Sequence, residues 1–68
     1  MKSIVGIMDL VKIGDVLKTY RASRWIIQIT STHVYYLLSV DRWESLIIIN
    51  THDSFELNYN NGCYGVKI

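Results

Sequence analysis

The sequence predicts an all-β domain: a small barrel or strongly twisted antiparallel meander of about five strands, with residues 3–13 open to one short helix. Three observations predict it. Ten isoleucines, six valines and four threonines stand against a single alanine, which favours strands over helices. Asn61-Gly62 is the strongest two-residue hairpin signal, and apolar residues alternate on both sides of it. A second alternation runs through residues 24–40 and returns over 45–50.

The C-terminal hairpin follows from the turn. With Asn61-Gly62 at its tip, Tyr59 faces Tyr64, Leu57 faces Val66 and Phe55 faces Ile68, all on one face. The opposite face pairs Asn60 with Cys63, Asn58 with Gly65, and Glu56 with Lys67, a pair of opposite charge. The second hairpin turns around Ser31-Thr32 and sets Ile29 against Val34, Ile27 against Tyr36 and Trp25 against Leu38. After a polar loop, Asp41-Arg42-Trp43-Glu44, the strand over 45–50 brings Ile47 near Leu38 and Ile49 near Tyr36.

That register leaves an apolar second face, with Ile26, Leu37 and Ile48 side by side, flanked by Tyr35 and Leu46. A one-sided sheet would carry polar residues there. Either a bent barrel or the N-terminal segment covers this face, or it is a self-association or partner interface. Residues 3–13 allow two states. Ile4, Ile7, Met8 and Val11 fall at helical spacing, Ser3 can cap and Gly14 can stop a helix, while Ile4, Val5, Ile7 and Ile13 favour a strand. From Asp15 the chain reads as strand through Arg21, with a turn at Ala22-Ser23.

Sixty-eight residues make one domain, 1–68. A chain this short buries roughly 60–65% of its unfolded surface, so its core needs a supplement. Cys63 is the only cysteine, which excludes an internal disulfide. Cys63, His33 and His52 lack the paired spacing of a zinc module, and no metal or cofactor is expected. Homo-oligomerisation or docking on a protein partner remains.

The net charge is +1, split between +3 over residues 1–40 and −2 over 41–68, too little to declare a nucleic-acid partner. Asp9 and Lys12 break the first apolar stretch, and no small-residue cleavage site follows. The longest aliphatic run, Leu46–Ile49, is far short of a membrane span. A lone cysteine without a targeting segment fits a cytoplasmic protein. Abundant isoleucine, tyrosine and asparagine with no proline suggests an AT-rich genome, and so small a chain suggests a phage or mobile element.

Residues 12–40 open with Lys12-Ile13-Gly14-Asp15-Val16, a short strand and a tight turn, then two long β-rich strands. This pattern resembles the SH3-like small barrels of the Tudor and KOW type, over residues 10–68. The resemblance implies a binding module whose ligands dock on inter-strand loops and surface aromatics; it fixes no ligand.

Three chemistries compete for the remaining residues. Cys63, His52 and Asp53 are the types of a thiol nucleophile, base and orienter, but nothing in their spacing makes them converge, and no catalytic role is expected. Gly62 and Gly65 flank Cys63-Tyr64 without the lysine and helix of a phosphate loop. Lys18, Tyr20, Arg21, Arg24 and Trp25 interleave cations with aromatics, as a single-strand nucleic-acid groove requires; a charge-protected edge strand reads the same way. Protein recognition draws on Trp43, Arg42, Tyr35 and Tyr20, because tryptophan, tyrosine and arginine dominate binding hot spots. Trp43 either serves as such an anchor or folds back to plug a barrel end. The leading expectation is a non-enzymatic protein-binding domain, concretely a phage-encoded inhibitor of a host enzyme or defence system; a nucleic-acid module using residues 12–24 is the alternative.

Overall fold

The computed structural model describes residues 5–40 and 44–68. The elements are α1 (Val5–Leu10), β1 (Val16–Lys18), β2 (Ala22–Ile29), β3 (His33–Val40), β4 (Glu44–Thr51), α2 (His52–Asn60) and β5 (Val66–Lys67). The strands form one antiparallel sheet in the order β4-β3-β2-β1-β5. The expected β class of five antiparallel strands holds, with a second helix, α2, added to the one short N-terminal helix that an all-β reading allowed. The sheet has two free edges, β4 and β5, so it is open and not closed into a barrel.

The N-terminal ambiguity resolves as helix. Ile7 and Val11, four apart and so on one face, are both 1% exposed in the core. Gly14, at φ 99°, then turns the chain into β1. The β1–β2 turn lies at Tyr20-Arg21, slightly before the expected Ala22-Ser23, because the Thr19 hydroxyl accepts from the Ala22 N–H at 3.1 Å and the Thr19 N–H donates to the Ala22 carbonyl at 2.8 Å. The turn at Ser31-Thr32 forms as expected, with the Thr30 hydroxyl accepting from the N–H groups of Thr32 and His33.

The C-terminal hairpin does not form. Residues 52–60 are helical, so Tyr59–Tyr64, Leu57–Val66 and Phe55–Ile68 are not cross-strand pairs. The Thr51 hydroxyl caps the first turn by accepting from the Ser54 N–H at 3.2 Å, and Asp53 supplies the negative charge that a helix N-terminus favours. At the other end the Gly62 N–H reaches the Tyr59 carbonyl (3.1 Å) and the Cys63 N–H reaches the Asn58 carbonyl (3.0 Å). Together they form a Schellman stop. A type I′ turn needs positive φ at both central residues; Asn61 sits at −81° and only Gly62, at 81°, is positive. The dipeptide ends a helix instead of closing a hairpin.

Two register shifts redistribute the sheet faces. Ile29 pairs with Val34 as expected, but a bulge between Ile26 and Gln28 places Ile26 opposite Tyr36 and Trp25 opposite Leu37. Ile26 is held there from its other side, donating to the Asp15 carbonyl (2.9 Å) and accepting from the Gly14 N–H (2.8 Å). On β4, Ile47 pairs with Leu37, Ile48 with Tyr36 and Ile49 with Tyr35, one residue away from expectation. A one-residue slip turns each side chain to the other face.

The core lies between the inner face and the two helices: Ile7, Val11, Leu17, Ile26, Val34, Tyr36, Phe55 and Tyr64. Phe55 is fully buried and touches three rings, with Tyr64 the nearest at 4.8 Å between centroids. Short β5 returns beside β1, pairing Leu17 with Lys67, and the Lys67 ammonium donates to the Leu10 carbonyl at 3.0 Å. No described helix is long and apolar enough to cross a membrane.

Candidate docking face and the residues around it

Both described helices cover the same side of the sheet. On the other, β2, β3 and β4 present successive rows: Ser23, Ser39 and Ser45; Trp25, Leu37 and Ile47; Gln28, Tyr35 and Ile49; then His33 and Thr51. The central rows are apolar and open to solvent, with Trp25 51%, Ile47 54% and Ile49 53% exposed. The bounding rows are hydroxyls and an imidazole, and Gln28 sets one amide at the β2 end of the second central row. None of these residues carries a fixed charge.

An apolar centre inside a polar rim is the anatomy of a protein interface. Three eight-residue strands, at about 3.3 Å per residue and about 4.8 Å between strands, span roughly 350–400 Å². The apolar central rows occupy about half of that, and contiguous exposed apolar patches of this kind on soluble monomers are often functional.

The expected self-association trio is divided. Ile26 is fully buried, Ile48 is half-buried beside it on the inner face, and only Leu37 stands on the outer face. Trp25, Ile47 and Ile49, which the expected register turns to the first face with Tyr36 and Leu38, take the place of Ile26 and Ile48. Of the four aromatic and arginine candidates, Tyr35 is on this face beside Ile49, while Tyr20, 99% exposed, is at the tip of the β1–β2 turn. Arg42 and Trp43 lie outside the described residues.

The basic trio is divided too. Lys18, Tyr20 and Arg21 border one open depression together with Ser23 and Ser39. Arg24 points into the inner face, its guanidinium 4.9 Å from the Tyr64 ring centroid and 5.9 Å from that of Tyr36. Its Nε and Nη1 are buried without a hydrogen-bond partner, so Arg24 contributes packing and cation–π contact to the core. Two exposed cations, Lys18 and Arg21, and two exposed aromatics, Tyr20 and Trp25, remain for a nucleic-acid strand.

The thiol, imidazole and carboxylate stay apart. His52 opens α2 and its Nε2 meets the Thr30 carbonyl at 2.8 Å, whereas exposed Cys63 follows the far end of the same helix. The nine-residue helix that His52 opens is about 13 Å long at 1.5 Å per residue, and Cys63 lies beyond its far end. Among the described residues no three His, Cys, Asp or Glu side chains gather as a metal site.

One titration reports on the covered face. Burial pushes the Tyr64 phenol up from 10.0 to about 12; the donated hydrogen bond from Asn58 opposes this and Tyr36 adds to it. The fold therefore favours the neutral phenol. This contribution to stability is complete below pH 10 and is lost as pH rises towards about 12. The thermal midpoint should fall across that window, and fall less in Tyr64→Phe. Equal falls in the two proteins would show that Tyr64 is not the buried phenol.

No family model matches this sequence, and no curated protein or solved structure matches it at a significant level.

Proposed function

We propose that this chain is a non-enzymatic binding protein that captures a protein partner on the open outer face of its sheet. The observation that carries the reading is the uncharged apolar centre formed by Trp25, Leu37, Ile47 and Ile49, left uncovered while both helices serve the opposite side. An uncharged apolar centre, with Lys18 and Arg21 only at the margin formed by Ser23 and Ser39, suits a protein surface better than a phosphate backbone, whose binding needs clustered cations. Trp25 with Tyr35 supplies the large rigid anchors on which hot spots are built. A small inhibitor of a host enzyme or defence system, encoded by a phage or mobile element and acting in the cytoplasm, is the concrete form that the isoleucine-rich, proline-free composition favours.

The test is capture of partners from host-cell extract by three immobilised proteins. These are the native chain, the double variant Trp25→Ser/Ile49→Ser, and Ile13→Ser, whose site is 59% exposed outside the sheet. The native chain and Ile13→Ser should retain the same protein at high salt. The double variant should bind it roughly 30-fold more weakly or worse, the loss of about 2 kcal/mol expected of a hot spot. Equal retention by all three rejects the face. Oligonucleotide binding that falls steeply with salt and disappears in Lys18→Glu/Arg21→Glu would favour the nucleic-acid reading instead.

A further inference from the structure

The two free edges of this sheet are treated differently. β5 has two residues, one of them a lysine, so that edge is blunted by shortness and charge. β4 runs for eight residues, pairs with β3 without any register shift, and carries no proline, lysine or arginine. Between Glu44 and His52 its sequence is Ser-Leu-Ile-Ile-Ile-Asn-Thr, without a charge. No described segment pairs with its outer side.

The backbone groups on that side can be assigned. The His52 N–H donates to the Thr32 carbonyl, so Thr32 and His52 form a hydrogen-bonded pair in the β3–β4 ladder. Such pairs recur at every second residue in an antiparallel ladder, which turns the N–H and C=O groups of Glu44, Leu46, Ile48 and Asn50 towards β3. Those of Ser45, Ile47, Ile49 and Thr51 point outward from the sheet.

Side-chain exposure along β4 falls on both faces. Ile47 and Ile49 are open on the outer face, and Leu46, on the inner, is 53% exposed. A partner lying on the outer face leaves Leu46 uncovered. A strand added at the edge covers flanks on both faces at once.

We infer that the β4 edge is a homodimer interface, in which a second copy of this chain adds its own β4 antiparallel across a two-fold axis at Ile48, giving a continuous ten-stranded sheet. The strand is complementary to itself in that register. Ser45 meets the partner's Thr51 and Ile47 meets the partner's Ile49, which forms about eight hydrogen bonds from the four outward residues of each copy. Both copies keep the same face outward because paired positions share parity. The ladder ends where Ser45 meets the partner's Thr51, so Glu44, the one acid of the strand, is not set opposite another acid. The proposal shares Ile47 and Ile49 with the docking face but does not rest on it: dimerisation lays two such faces side by side and uses backbone that the face does not need.

The mass in solution tests it. Sedimentation equilibrium of the native chain should give about twice 7.9 kDa, dissociating on dilution. In hydrogen exchange the amides of Ser45, Ile47, Ile49 and Thr51 should be protected in the dimer and exchange freely after dilution. Ile47→Pro and Ile49→Pro each remove an outward N–H that the ladder with β3 does not use, and should weaken association at least roughly tenfold. If a proline variant loses its sheet by circular dichroism, Ile47→Lys/Ile49→Lys provides the same readout, placing lysines opposite one another across the axis. Trp25→Ser should leave the dimer intact. A mass of 7.9 kDa at every concentration, a dimer whose Ile47 and Ile49 amides stay unprotected, or a dimer that the folded edge variants do not weaken would each overturn the proposal.

Discussion

Phe55→Ala should leave much of the population unfolded at room temperature. The ring is wholly buried and touches Tyr36, Tyr59 and Tyr64 in the only place where α2 meets the sheet through a fully enclosed side chain. Truncating a buried phenylalanine costs about 3–5 kcal/mol, because the lost transfer energy is joined by a cavity that rigid neighbours cannot fill. A domain of this length holds roughly 3–10 kcal/mol in total. Loss of the cooperative transition in urea, followed by circular dichroism, is the expected readout. A midpoint within experimental error of the native chain would put residue 55 on the surface and remove the covered face on which the docking face depends.

Gly65→Ala should be the next most damaging change, through backbone clash more than through lost contact. Gly65 adopts φ 80°, and a Cβ there would stand 2.0 Å from the Lys18 carbonyl oxygen and 2.6 Å from its carbon. Lys18 belongs to β1, so the clash forces β5 away from its only neighbouring strand. That removes the Ile68 N–H bond to the Val16 carbonyl and the Lys67 contacts with Leu10 and Asp15. Gly62 supplies the control. It has nearly the same φ, 81°, but open space around its missing Cβ. Gly62→Ala should cost only the left-handed strain, about 1–2 kcal/mol. Gly65→Ala should exceed it by a further 1–3 kcal/mol, roughly the penalty of an overpacked site. Denaturant midpoints compare the two, and the Ile68 amide should lose exchange protection only in Gly65→Ala. Equal destabilisation would mean that β5 is not docked on β1.

What could be read from the sequence divides along local and non-local lines. The α1 spacing of Ile7 and Val11, the Ser31-Thr32 turn and the inward set Val34, Tyr36 and Leu38 on β3 all follow from neighbours in sequence, and all are found. The α2 helix was hidden because Phe55, Leu57 and Tyr59 alternate as a strand does, while Phe55 and Tyr59 also lie one helical turn apart. Asn61-Gly62 serves a hairpin or a Schellman stop equally well. The decision comes from the Thr51 cap and the burial of Phe55, which is tertiary. The β2 bulge has no glycine to announce it. It arises where Ile26 bonds to Gly14 and Asp15, twelve and eleven residues away in sequence. With only residues 41–43 between Val40 and Glu44, β4 pairs one residue away from the expected register. Those two shifts, one non-local and one set by the length of a three-residue connection, exchanged Trp25, Ile47 and Ile49 for Ile26 and Ile48. The candidate site was therefore legible as an apolar second face but not in its membership.

Attenuation of methyl signals by a soluble paramagnet, measured by NMR on the native chain, tests this assignment of faces most directly. The Ile47 and Ile49 methyls should be strongly attenuated and those of Ile7 and Ile26 spared, as their 54%, 53%, 1% and 0% exposures require. Attenuated Ile7 and Ile26 methyls beside spared Ile47 and Ile49 would contradict it and place the docking surface on the other side of the sheet.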